Sequence, residues 1–154
     1  MEEFEKKLRD YINQHKVEGE HMIFQESCHS VEEAAKASNS SPEDFVKNIC
    51  MVDQEGNLIV AIVKGEDKVS SKRVGKALNI KPPKIASPEE ILEKTGFICG
   101  GVPSFGYDAL FLIDPRVLEK EIVYSGGGSQ RALLKISTSE LQKANNGRVV
   151  RVRK

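Results

Sequence analysis

Seven consecutive residues, Gly100-Gly101-Val102-Pro103-Ser104-Phe105-Gly106, combine three glycines with a proline. No helix or strand requires that composition. Glycine serves where the backbone takes positive φ or admits a close neighbour, and proline fixes φ beside it. The segment reads as a shaped loop, either a tight connection or a wall against which a ligand lies. A second cluster, Gly126-Gly127-Gly128 between Ser125 and Ser129, is open to the same two readings. Lys47 stands in the apolar run Phe45-Val46-Lys47-Asn48-Ile49-Cys50-Met51-Val52. Desolvating an ammonium is costly, so a lysine there either snorkels from a strand end or does chemistry. A fixed ammonium can stabilise charge that develops on a carbonyl oxygen. Asn48, one residue on, can orient a ligand or be satisfied by backbone, but its amide is neither acid nor base.

Other chemistries lack their residues. His15, His21 and His29 do not have the i, i+4 spacing of a helical metal pair, and none is expected near the glycine loop; no metal and no cofactor are predicted. Cys28, Cys50 and Cys99 are odd in number and far apart, which favours neither a disulfide framework nor a zinc site. Cys28 beside His29 is not a nucleophile and base by adjacency alone, because neighbouring side chains of a strand point apart. The spacing of the Gly100 loop fits neither a Walker loop nor a dinucleotide fingerprint.

These residues must be held by a mixture of helices and strands. Phe4, Leu8, Tyr11 and Ile12 recur at helical spacing, predicting an amphipathic helix over residues 2–15 that packs on the body as a structural lid. Residues 22–24 read as a short strand, and Ser30-Val31-Glu32-Glu33 as a capping box opening a helix through about Ala37. Ser41-Pro42-Glu43-Asp44 has the chemistry of a further helix start. Two strands, apolar on both faces, flank the Gly56-Asn57 turn between Phe45 and Val63, a central position in a sheet or barrel. A basic helix is expected to begin near Asp67, and Ser87-Pro88-Glu89-Glu90 caps another that Gly96 ends. Residues 97–99, 109–113, 122–124 and 132–136 read as strands, followed by a helix from Ser137 to Gly147 and a closing strand over 149–152. Irregular alternation with one clear hairpin disfavours a purely parallel sheet.

The chain has 154 residues, with 23 basic and 23 acidic side chains and a formal net charge of zero. That length predicts one domain, residues 1–154, burying about two-thirds of its unfolded surface. Zero net charge argues against attachment to nucleic acid by bulk charge. Locally, however, Lys64, Lys68, Lys72, Arg73, Lys76, Lys81 and Lys84 face only Glu66 and Asp67 between residues 64 and 84. The stretch is either a solvated face or a phosphate contact, and Arg148, Arg151, Arg153 and Lys154 add to the positive charge. Met1 is followed by acidic residues rather than a basic start and apolar core, and no apolar run approaches a membrane span. A reduced, cytoplasmic protein without membrane contact is expected.

In order along residues 20–142, the Lys47-Asn48 pair, the hairpin, the basic segment Asp67 to Leu78, Ala86-Ser87-Pro88-Glu89-Glu90 and Thr95-Gly96 lead into the glycine loop. This arrangement resembles the YbaK/ProX aminoacyl-tRNA editing family, to which the prolyl-tRNA synthetase insertion domain belongs. The resemblance implies an α+β fold with a mixed, strongly curved sheet or barrel flanked by helices. It also implies a metal-independent, trans-acting deacylase that hydrolyses the ester of mischarged tRNA, alanyl- or cysteinyl-tRNA(Pro). Lys47 takes the place of the lysine on which deacylation depends. Asn48, Gly100, Gly101, Val102, Pro103, Ser104, Gly127 and Gly128 fall at substrate-binding positions. Lys68, Lys72, Arg73 and Lys76 fall where a tRNA acceptor end would lie. Two departures stand out. The family loop G-x-x-x-P has Ser104 in its last position, with Pro103 one place early, and Leu134 stands near where the cysteinyl-tRNA subgroup has an aspartate. A non-catalytic module of the same fold, holding a tRNA end, a nucleotide or a synthetase such as the prolyl enzyme, is the alternative. As partners the resemblance implies the tRNA acceptor end and such a synthetase, for a monomer or homodimer.

Overall fold

The computed structural model describes all residues, Met1–Lys154. Five helices surround two sheets that do not close on each other. The expected α+β fold with a mixed sheet flanked by helices therefore holds, without a closed barrel. The larger sheet has the order β4-β2-β3-β5-β8, built from β2 (Val46–Val52), β3 (Leu58–Lys64), β4 (Lys84–Ile85), β5 (Leu110–Ile113) and β8 (Arg148–Val149). β2 pairs antiparallel with β3 and β4, whereas β3 with β5 and β5 with β8 run parallel. The smaller sheet, β1 (Gly19–Ile23), β7 (Ala132–Ser137) and β6 (Ile122–Gly126), is antiparallel throughout. One parallel bridge, Phe45 to Tyr124, joins the sheets at the start of β2.

The hairpin sequence explains its position. Every residue of β3 is buried, as a strand apolar on both faces must be at the centre of a sheet. On one face Val60 and Ile62 join Val46, Cys50, Phe105 and Leu134 in the main core, which α1 (Glu3–His15) closes with Leu8 and Ile12. On the other, Ile59, Ala61 and Val63 pack with Met51 and with Val74 of α3 (Ser71–Leu78). Truncating a fully buried leucine such as Leu8 or Leu134 to alanine costs about 2–5 kcal/mol at such sites.

Serines start the helices where the sequence placed them. The Ser30, Ser87 and Ser137 hydroxyls accept from the amides of Glu33, Glu90 and Glu140 at the heads of α2 (Val31–Ser38), α4 (Pro88–Thr95) and α5 (Thr138–Asn145). Three expectations are corrected. Ser41 and Asp44 form a reciprocal cap, but over a single 3-10 turn, Pro42–Asp44, before β2 begins. The basic helix starts at Ser71, capped by Ser70, so Lys68 precedes it. Residues 97–99 are not a strand: the Thr95 hydroxyl accepts from the Phe97 amide, turning the chain, and Phe97 is anchored in the core.

Candidate active site

β4 covers only Met51 and Val52 of β2, which leaves the earlier part of that edge facing the smaller sheet. A cleft of about 280 Å³ opens there, between β2, the head of α2, Gly100 and Val102, and the ends of β6 and β7. Its walls are mainly apolar, with Val31, Ala34, Phe45, Ala132 and Leu133 among them. Phe45 and Tyr124 stack with ring centroids 4.9 Å apart. No aspartate or glutamate lines the cleft.

Lys47 and Asn48 both line it, from opposite faces of β2. Lys47 lies opposite Val63 in the register, on the α3 face, and its side chain makes neither an ion pair nor a hydrogen bond within the chain. Burial depresses its pKa below the ordinary lysine value, opposed by the charge of Asp67 and reinforced by that of Lys68. Its half-buried ammonium is therefore less stable as a cation than in water, and a ligand oxygen would supply the missing partner.

Asn48 points the other way and is fully occupied. Its Nδ2 donates to the Val102 carbonyl at 2.9 Å and towards Ser125 Oγ at 3.4 Å, while its Oδ1 accepts from Ser104 Oγ at 2.7 Å. The Ser104 and Ser125 hydroxyls are themselves 2.7 Å apart. Tyr107 donates to the Pro103 carbonyl and Asn145 to that of Ser104, each within 2.9 Å. Asn48 is the pin that ties the glycine loop to β2. Ser104, fully buried in this network, has no hydroxyl to offer a substrate. The departure from the family's proline thus adds a hydrogen bond behind the loop.

Only Gly100 and Val102 of the first glycine loop reach the cleft; Gly101 and Pro103 lie behind it. The amides of Gly100 and Val102 donate to no group of the chain. Gly127 and Gly128 stand outside the lining as well. They shape the site from behind, because the Gly128 amide donates to the Gly101 carbonyl at 2.8 Å and a Cβ on Gly101 would meet the Gly128 carbonyl carbon at 2.7 Å. Glycines in both clusters let two backbones touch. Arg9 donates to Nδ1 of His21, so that ring presents its Nε2–H to the Gly127 carbonyl at 2.8 Å.

The structure overturns the expectation that no histidine approaches the glycine loop. His29 lines the cleft, its ring lying where a side chain on Gly100 would otherwise stand. Sequence reasoning missed it because the contact spans residues 29 and 100; the one local signal was its place immediately before the Ser30 cap. Cys28 and Cys99 also line the cleft. Burial pushes the Cys28 thiol up to about 11, so it is protonated and unreactive at neutral pH.

Outside the cleft, the basic residues share a surface. Lys72, Arg73 and Lys76 of α3 are exposed, as is Lys68 before it, and none is ion-paired. The C-terminal residues lie against this segment: Ser70 donates to the Val152 carbonyl, the Lys154 amide to that of Lys68, and Arg148 to that of Ala77. Arg153 is committed elsewhere, in a two-pronged pair with buried Asp114 at 2.7 and 2.8 Å.

Comparison with known proteins places the fold. Residues 25–144 match the family model of the aminoacyl-tRNA editing domain. The uncharacterised protein YwhH of Bacillus subtilis is 25% identical over 146 residues, covering 94% of this chain and 92% of that protein. The crystal structure of hypothetical protein APE2540 superposes with a TM-score of 0.88 at 27% identity, over 96% of this chain and 99% of that one. The structure of a candidate trans-editing enzyme for prolyl-tRNA synthetase gives a TM-score of 0.90 at 23% identity, over 100% and 99% of the two chains. The chain therefore belongs to the aminoacyl-tRNA editing domain family, whose general reaction is hydrolysis of aminoacyl-tRNA esters.

Proposed function

We propose that this protein is a free-standing deacylase acting in trans on mischarged tRNA(Pro), removing alanine or cysteine. The observation that carries the reading is the Lys47 ammonium, unpaired and half-buried in a small apolar cleft that Gly100 and Val102, whose amides are free, also line. Attack on an ester turns its carbonyl oxygen into an oxyanion, and a preorganised cation with backbone amides stabilises that charge more than it stabilises the substrate. Apolar walls, with Val31, Ala34 and Ala132 beside the larger Phe45 and Leu133, favour an uncharged side chain. Such an enzyme answers a real deficit, since a synthetase pocket rejects a smaller amino acid by only about 1–3 kcal/mol.

In this reading Asn48, Ser104 and the Gly127-Gly128 turn hold the loop in place rather than touch substrate. Lys68, Lys72, Arg73 and Lys76 receive the acceptor end on the sheet face that Lys47 shares with α3. The protein works where translation does, in the cytoplasm, alone or beside prolyl-tRNA synthetase. Assay of a panel of charged tRNAs tests the reading. Alanyl- or cysteinyl-tRNA(Pro) should be deacylated and prolyl-tRNA(Pro) spared, with the rate unchanged by EDTA. Tight binding of every tRNA with no hydrolysis would instead mark a binding module.

A further inference from the structure

Hydrolysis needs a group that takes a proton from the attacking water, and the cleft offers few. It holds no carboxylate. The Ser30 hydroxyl is engaged with Glu33 and that of Ser125 with Ser104. Burial keeps the Cys28 thiol protonated, the Tyr124 ring is stacked on Phe45, and a thiol such as that of Cys99 is a poorer hydrogen-bonding group than an imidazole. Lys47 is required as a cation. What remains is His29. Its backbone amide is fixed by Ser27 Oγ at 3.2 Å, while neither ring nitrogen has a hydrogen-bond partner in the chain. The ring is exposed and lies over Gly100, whose φ of +90° and missing side chain make room for it. His21 differs in this respect, since Arg9 and the Gly127 carbonyl occupy both of its nitrogens.

We propose that His29 is the general base of the deacylation, an inference that rests on the deacylase reading and adds a second residue to its chemistry. The water's O–H bond breaks and the proton passes to the free imidazole nitrogen. Its oxygen bonds to the ester carbon, and the carbonyl π pair moves to the oxygen beside Lys47. On collapse the bond from that carbon to the ribose oxygen breaks, and the departing oxygen takes the proton back from the imidazolium. The products are the free amino acid and tRNA with its terminal hydroxyl, and both residues return to their starting states. Gly100 is then glycine for two reasons, its backbone conformation and the imidazole it accommodates.

The test uses the full chain and whichever charged tRNA the wild type cleaves. His29→Ala should lower kcat about 10²-fold or more, the usual contribution of a positioned base, with little change in KM or Tm. Added imidazole should restore part of kcat to His29→Ala, and none to Lys47→Ala. His29→Gln, which keeps a polar side chain but no comparable base, should be as slow as His29→Ala. Wild-type kcat in either His29 variant overturns the proposal, as does a loss that tracks a fall in Tm and ignores imidazole. A wild type inactive on every charged tRNA would refute the deacylase reading itself, and the role of His29 with it.

Discussion

At the residue level, Lys47 and Asn48 illustrate how one strand can serve two purposes. Burial depresses the pKa of Lys47, so keeping it charged works against folding rather than for it. Lys47→Met should therefore leave Tm at or above the wild-type value, while kcat falls about 10²–10³-fold, the range for losing one oxyanion-stabilising group. A stable, fully active Lys47→Met protein would remove Lys47 from the mechanism. Asn48→Ala has the opposite character. It strands the Val102 carbonyl and leaves the Ser104 hydroxyl only Ser125 as a partner, a cost of about 1–3 kcal/mol, or about 2–4 °C in Tm for each kcal/mol. Calorimetry and kinetics together should show both stability and activity falling. The sequence exposed Lys47 because an ammonium in an apolar run is anomalous wherever it occurs. It could not assign Asn48, whose role depends on Val102 and Ser104 more than fifty positions away, nor His29, whose neighbour is Gly100.

The elements that hold the loop explain why glycine and buried charge recur together. A Cβ on Gly126 would fall on the Val102 carbonyl, so Gly126→Ala must part the two glycine segments. A loss of about 2 kcal/mol or more and a slower enzyme are expected, read by denaturant unfolding and by kcat. Glu5 of α1 secures the other side. It is 1% exposed, accepts from Ser129 Oγ at 2.6 Å and from the Glu2 amide at 3.0 Å, and so ties the first turn of α1 to the second glycine cluster. Burial acts to raise its pKa, but these hydrogen bonds outweigh burial and leave it below the ordinary glutamate value. A depressed folded pKa adds stability above the unfolded pKa, and that stability is lost as pH falls through the folded value. The acid limb of a stability curve should flatten in Glu5→Gln. Helix starts were legible because a serine cap is a local signal. The false strand at 97–99 arose because Phe97 and Ile98 look like strand residues, whereas the Thr95 hydroxyl turns the chain there.

Over the whole molecule, zero net charge conceals a division of labour. Lys64, Arg116, Lys120 and Arg153 are neutralised by Glu66, Asp67, Glu43, Asp44 and Asp114, whereas the cations of α3 and the C-terminal Arg148, Arg151 and Lys154 are not. Net charge read from composition is silent about this face, because pairing is a property of the fold. A few unpaired cations imply few phosphate contacts. With two to four, log affinity for tRNA should fall against log salt with a slope of about 0.9 per duplex phosphate, hence about 2–4 in total. Lys72→Glu combined with Arg73→Glu should raise KM for charged tRNA and flatten that slope, with kcat at saturation unchanged, because contacts to the backbone position a substrate without reacting. An aminoacyl ester of adenosine, lacking the stem, should be cleaved equally well by wild type and variant. If the variant loses as much on this small ester as on tRNA, α3 supports the cleft itself, through the sheet face it shares with Lys47, and the acceptor stem must approach from elsewhere.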